Sequence, residues 1–283
     1  MRRAVGLLEA ISALADGFSG TVGVWGRRLP DGETVGLRAD ESFETASAIK
    51  VLILATALRR VREGRDDLGA PLVYGPQHHV FGSGVLRELT PGLRLSLRDA
   101  LTLMIAVSDN VATNMVIDRV GGVDAVNAEA ERQGMGHTRL LARLDFASGV
   151  NTEGFGRSTP AELGGLFERA YGGRCIGPAE DRVMIDLLLR QQYNTALTRA
   201  LPYVLITPPR VPGEQPPLRL ASKSGSWRGC RIDCGLFYGP QGDYVLGLWS
   251  KDCQDARFHV DNEAMLLLPQ ISRLVWDHWG GGA

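Results

Sequence analysis

The chain has no run of apolar residues approaching the ~20 needed to cross a bilayer. It also lacks an excess of either charge. Its 31 basic and 32 acidic side chains leave a formal net charge of −1, which gives no support to nucleic acid or an anionic membrane surface as partner. Cysteine is sparse. Cys175, Cys230, Cys234 and Cys253 form no Cys-x-x-Cys pair, and none stands at zinc-ligand spacing from a histidine, so no metal is implied. Cys230 and Cys234 would share one face of a strand, but four residues of strand span roughly 13 Å, too far for a disulfide. All four read as reduced packing residues. Repeats, low-complexity tracts and obvious flexible linkers are likewise missing.

What remains is an ordinary globular composition. The 283 residues are 44% hydrophobic and 22% charged, enough for one large domain or two intertwined ones. The N-terminal "MRRAVGLLEAISALADGFSG" carries two features of a signal peptide, Arg2-Arg3 and Ala13-Leu14-Ala15,. Glu9 interrupts the apolar stretch between them. At helical spacing Ala4, Leu7, Leu8, Ile11, Leu14 and Ala15 form one stripe. The expectation is an amphipathic first helix and a cytoplasmic protein, with export left open.

Two strands follow, "GTVGVWGRRL" and "ETVGLRAD", around the turn Pro30-Asp31-Gly32. Residues 47–63 then read as a helix stopped at Gly64. Segments 95–107, 110–122, 123–135, 180–192 and 195–202 carry apolar residues at three- and four-residue spacing and read as helices. Another helix starts near Thr159, with Thr159 as cap, Pro160 in the first position and Glu162 three after the cap. The five prolines of "TPPRVPGEQPP" (207–217) mark an extended excursion,. Strands return at 218–225, 230–239 and 243–252, and a helix from 261 to 279 closes the chain, with Pro269 inside it.

The expected fold is α/β (α+β). A five-stranded antiparallel sheet is flanked on one face by the N- and C-terminal helices, and a mostly helical domain is inserted. The expected division is 1–58 plus 206–283 for the sheet domain and 59–205 for the helical insert, with the active site between them. His78 and His79 read as surface or rim residues. Gln191 to Asn194 read as the polar end of a helix. Asp233, alone in an apolar strand, is expected to pair with a buried arginine or to face water. Trp276 and Trp279 are expected to pack on the sheet.

Three short motifs carry the chemistry. Ser47 and Lys50 in "FETASAIKVLILATALRRV" share a helix face at the mouth of an apolar run. Ser47 would stand at the positive end of the helix dipole, and an amine with a lowered pKa can act as a base toward its hydroxyl. Ser108-Asp109-Asn110 lies between two apolar helical segments, where polar residues must cap a helix or serve a site. Lys223-Ser224-Gly225 ends a strand, the glycine allowing close approach of a ligand. The three occur in the order S-x-x-K, S-D-N, K-S-G, with starts 61 and 115 residues apart.

This set resembles the serine β-lactamases of class A and the related penicillin-binding DD-peptidases. "GSGVLREL" (82–89) and Arg143-Leu144-Asp145 add to the likeness, which covers nearly the whole chain. The resemblance implies that Ser47 becomes acylated, that Lys50 activates it, and that Ser108, helped by Lys223, passes a proton to the departing nitrogen. Asn110 would bond the substrate amide and Lys50. The backbone N–H groups of Ser47 and Ser226 would form an oxyanion hole. Lys223, Ser224, Gly225 and Arg231 would bind the substrate, with Arg228 competing for the role of Arg231. No cofactor is implied. The expected partner is a small β-lactam or another acyl substrate, and the expected state is a monomer.

The departure from the family lies after Asp145. Class A enzymes carry there a glutamate in an E-x-x-L-N pattern that primes the deacylating water. This chain reads "RLDFASGVNTEGFGRSTP", with Ser148 at the expected place. Glu153 is the only nearby carboxylate on the C-terminal side, a candidate deacylation residue or a solvated loop residue. The expectation is a β-lactam hydrolase with slow deacylation. The alternatives are an esterase or D-alanyl peptidase on the same scaffold, or a penicillin-binding protein that does not turn over.

Overall fold

The computed structural model describes residues 6–146, 154–193, 195–206, 214 and 216–281. Along the chain come α1 (Leu7–Ala15), β1 (Thr21–Arg28), β2 (Thr34–Leu37), β3 (Phe43–Glu44), a 3₁₀ turn (Ala46–Ile49), α2 (Lys50–Arg62), β4 (Pro71–Val73), β5 (Arg94–Ser96), α3 (Leu97–Ala106), α4 (Asn110–Val120) and α5 (Gly122–Arg132). There follow β6 (Arg139–Leu140), β7 (Gly156–Ser158), α6 (Pro160–Tyr171), α7 (Pro178–Leu188), α8 (Tyr203–Ile206), β8 (Arg219–Trp227), β9 (Cys230–Tyr238), β10 (Tyr244–Lys251) and α9 (Glu263–Val275). Two compact units result. The first holds Met1–Phe43, Thr159–Glu168 and Asn194–Ala283, and the second Glu44–Ser158 and Arg169–Tyr193.

The first unit is built on the expected five-stranded antiparallel sheet, in the order β2-β1-β10-β9-β8. Alternation along β1 explains its two faces. Val22 and Val24 point into a core shared with Ile11 of α1 and with Leu268, Ile271 and Val275 of α9. Gly23 and Trp25 point the other way. A Cβ on Gly23 would press on Phe43, and one on Gly164 of α6 would collide with the Trp25 ring. Helix α6 therefore lies directly on the indole, and Arg27 reaches its Glu168 at 3.4 Å. The start chemistry of α6 is as expected, with the Glu162 N–H donating to Thr159 Oγ1 at 3.1 Å. Trp276 and Trp279 are both buried in the α9 core, within a π-helical turn, Trp276–Gly280, that follows α9.

One expected helix is absent. Residues 195–201 form turns and bends. The Leu197 N–H donates to Asp233 Oδ2 at 3.1 Å and its carbonyl accepts from Ser272 Oγ at 2.6 Å. Those side chains take the backbone groups that a helix would have used.

The second unit centres on α2. Every residue from Lys50 to Leu58 is buried, as for a helix apolar all round, and α2 packs on α3, α4, α5 and α7. Helix α2 groups with the helices that enclose it, not with the sheet. His78 is corrected from the rim to the interior. It is buried, its Nδ1 accepts the Gly75 N–H at 2.9 Å, and its Nε2 stands 3.4 Å from Asp118. Burial pushes its pKa down. All four cysteines are free and buried. Among the described residues no helix is long and apolar enough to cross a membrane.

Candidate active site

Ser47 lies in the 3₁₀ turn that runs straight into α2, so the expected single helix from 47 to 63 is a tight turn followed by an α-helix. Lys50 is the first α-helical residue, and its N–H bonds back to the Ser47 carbonyl. The turn is entered through Ala46, whose φ is +42°. A non-glycine residue held there costs on the order of 1–3 kcal/mol, and such strain clusters at functional sites. Ser47 itself is half-buried.

The Lys50 side chain is fully buried. Its Nζ donates to Ser108 O at 2.7 Å, Ser108 Oγ at 3.1 Å and Asn110 Oδ1 at 2.8 Å. Three oxygens thus converge on the Lys50 amine, which answers how a lysine stands at the entrance of an apolar run. Ser108 offers both its carbonyl and its hydroxyl from a left-handed backbone, φ +54°. Asn110 is fixed in turn. Its Nδ2 donates to Phe81 O and its N–H to Ser83 O, both at 3.0 Å.

Asp109, between them, serves structure. Its Oδ1 caps α4 by accepting the Ala112 N–H at 2.9 Å. Its Oδ2 accepts the N–H groups of Val85 and Leu86, at 2.7 and 2.9 Å. Asn114, one turn on, pairs in both senses with the Leu144 backbone, at 2.9 and 3.0 Å. It anchors the chain beside Asp145. Glu153 and Ser148, the two sequence-based positions for deacylation, lie outside the described residues.

In the first unit, Lys223, Ser224, Gly225 and Ser226 run along β8, opposite Cys234, Asp233, Ile232 and Arg231 of β9. Lys223 is fully buried, and its Nζ donates to Ser224 O at 2.9 Å. Burial pushes its pKa down to about 7, opposed by the charge of Asp233. Asp233 does not pair with an arginine or face water as expected. It is fully buried, its Oδ2 accepts the Leu197 N–H, and burial pushes its pKa up to about 7.

Arg231 is buried as well. Its guanidinium donates to the carbonyls of Trp227 at 2.8 Å, Cys230 at 2.7 Å and Arg257, and it lies over the Phe258 ring at 4.9 Å. Arg228, in the connection before it, is exposed. Sequence reasoning gave no role to Glu44, whose Oε1 accepts the N–H groups of Ala46, Phe155 and Gly156. The only available signal was a carboxylate three positions before Ser47.

Comparison with known proteins places the chain in a family. A family described as "Beta-lactamase enzyme family" matches residues 6–279. The curated beta-lactamase SME-1 of Serratia marcescens is 24% identical over 86% of this chain and 76% of its own. The crystal structure of a beta-lactamase from Sphaerobacter thermophilus is 28% identical, with a TM-score of 0.83 over 97% of this chain and 96% of that one. A leucine-to-glutamate mutant of PBP-A, described as an acyl-enzyme complex with penicillin G, is 27% identical, with a TM-score of 0.82 over 96% and 95%.

Proposed function

The chain belongs to the beta-lactamase enzyme family, as a serine β-lactamase-like hydrolase, and on that premise we propose that it opens the β-lactam ring through an acyl-enzyme on Ser47. The observation that carries this reading is the convergence of Ser108 and Asn110 on the buried amine of Lys50, one turn from Ser47. In the proposed step Lys50, acting as base, removes the Ser47 hydroxyl proton as Oγ bonds the ring carbonyl carbon. The C–N bond breaks, Ser108 gives its hydroxyl proton to the departing nitrogen, and the proton taken by Lys50 passes to Ser108 Oγ, 3.1 Å from Nζ. The N–H groups of Ser47 and Ser226 receive the oxyanion, a donor pair in which each member is worth roughly 3 kcal/mol of barrier.

Lys223 and Ser224 hold the substrate's carboxylate, with Gly225 leaving room beside it. The carbonyls already bound by Arg231 support a supporting role for it in the β8–β9 connection, so we assign the reaching cation to Arg228. Deacylation is slow in this proposal, because no E-x-x-L-N glutamate follows Asp145. The adduct described for the PBP-A mutant is the species expected to accumulate here.

Intact mass after brief incubation with benzylpenicillin tests the reading. The expected result is an adduct of the antibiotic's full mass, lost in Ser47→Ala. Neither adduct nor hydrolysis would overturn it. Rapid hydrolysis without adduct would overturn slow deacylation alone. Cleavage of a short-chain ester or D-alanyl peptide, without reaction of penicillin, would move the substrate to the alternative acyl class.

A further inference from the structure

The turn that carries Ser47 is fastened to Phe155 and Gly156, and the fastener is Glu44. Its Oε1 accepts the Ala46 N–H at 2.9 Å, the Phe155 N–H at 2.9 Å and the Gly156 N–H at 3.4 Å. The Thr45 N–H adds a bond to the Gly156 carbonyl at 2.9 Å. Ala46, the residue gripped on the nucleophile side, is the one with φ +42°. The carboxylate therefore compensates the strained residue directly before Ser47.

The loop end is shaped to this carboxylate. Gly154 has φ +98°, and a Cβ there would overlap Glu44 Oε2. A Cβ on Gly156 would meet Thr45 Oγ1 at 2.8 Å and Ile49 Cγ1 at 3.1 Å. Glycine alone lets the chain pass this close. Oε2 is buried and has no hydrogen-bond partner among the described residues. A carboxylate left half-satisfied in this way is costly and is kept where geometry, not stability, is served. Burial raises the Glu44 pKa, opposed by the three N–H bonds and by the charge of Arg157.

We propose that Glu44 is a positioning residue for Ser47, a staple that holds the strained Ala46–Ser47 turn against Phe155 and Gly156 so that the serine is set for acylation. The inference rests on the acyl-enzyme reading above for its kinetic part and on backbone geometry for the rest. Glu44→Ala removes the acceptor of three N–H groups. Its acylation rate by benzylpenicillin, per folded molecule, is expected to fall about a hundredfold, the scale of a misplacement near 1 Å. Glu44→Gln keeps an oxygen for the same donors and is expected to stay within about tenfold of wild type, the bonds being weaker to an uncharged acceptor. Gly154→Ala pushes the carboxyl aside and is expected to follow Glu44→Ala.

Arg59→Ala is the stability control. It breaks the contacts of Arg59 with Glu129 and the Cys175 carbonyl, away from Ser47, and is expected to lower Tm without slowing acylation of the folded fraction. Equal acylation rates in wild type and Glu44→Ala would overturn the proposal, as would equal slowing in Arg59→Ala. If wild type forms no adduct, the acyl-enzyme reading fails, and the staple is judged by amide hydrogen exchange. Faster exchange at both Ala46 and Phe155–Gly156 in Glu44→Gln and Gly154→Ala supports it. Unchanged exchange at Ala46 overturns it. The Gln and Gly154 variants keep the test open should Glu44→Ala not fold.

Discussion

Lys223 and Asp233 sit on adjacent strands but on opposite faces of the sheet, and both are fully buried. Lys223 is paired with Cys234 and Asp233 with Ser224, so the two side chains diverge. Asp233 falls in the row Val24, Leu248, Asp233, Ser224, whose first two members belong to the core beneath α1 and α9. Lys223 falls in the row Trp25, Gly247, Cys234. The carboxylate thus supports the ammonium through the sheet without touching it.

Removing that support should change the pH profile of acylation. Burial holds the Lys223 amine down at about 7, and the Asp233 charge opposes this. In Asp233→Asn the amine loses its proton at lower pH. Acylation by benzylpenicillin should then decline at lower pH than in wild type, with a severalfold loss at neutrality. Superimposable profiles in stopped-flow acylation would show that the two groups are not coupled.

The same residue should leave a mark on stability. Burial raises Asp233 to about 7, above the unfolded value near 4. Between those values the folded chain holds the proton and the unfolded chain does not. The stability so conferred is complete below about pH 4 and is lost as pH rises through about 7. Wild-type Tm should therefore fall from pH 5 to pH 8 by more than that of Asp233→Asn, as read by scanning calorimetry.

Asp109 should matter to folding more than its place within the S-D-N motif suggests. Its carboxylate caps α4 and takes two further buried N–H groups. Asp109→Ala should cost about 3 kcal/mol, a cap plus two unmade charge-assisted bonds. Urea unfolding measures this directly, and a loss under about 1 kcal/mol would refute the assignment.

Two arginines three positions apart, Arg228 in the β8–β9 turn and Arg231 near the start of β9, should separate by phenotype. Arg231→Ala removes the guanidinium donors to the Trp227, Cys230 and Arg257 carbonyls and should lower Tm with little change in the KM of an anionic penicillin. Arg228→Ala should leave Tm in place and raise that KM by about tenfold, the worth of one charge-assisted contact. The reverse pattern would return the carboxylate contact to Arg231.

Much of this was legible in the chain. Turn residues such as Pro30-Asp31-Gly32 marked the limits of the strands, and Thr159-Pro160 marked the start of α6. The S-x-x-K spacing put Lys50 at the mouth of an apolar run, where a buried amine needs partners, and Ser108 and Asn110 supply them. What was not legible depends on long-range bonds. The periodicity of residues 195–202 is helical, but Asp233 and Ser272 hold Leu197 in another conformation. His78 looked polar enough for the rim, yet Gly75 and Asp118 satisfy it inside. Glu44 carries no motif at all, since two of its three partners are backbone N–H groups more than a hundred residues away.

The segment after Asp145 is framed by two independent clasps, Asn114 on the Leu144 backbone and Glu44 on Phe155 and Gly156. Both clasps belong to parts of the chain outside the segment. Changes confined to positions 147–153 leave untouched both the gripping side chains and the Gly154 that admits Glu44, as a cartridge is exchanged in a fixed holder. A longer insert bearing a glutamate could be grafted between the clasps, and turnover could be gained or lost there while the chemistry of acylation stays where it is.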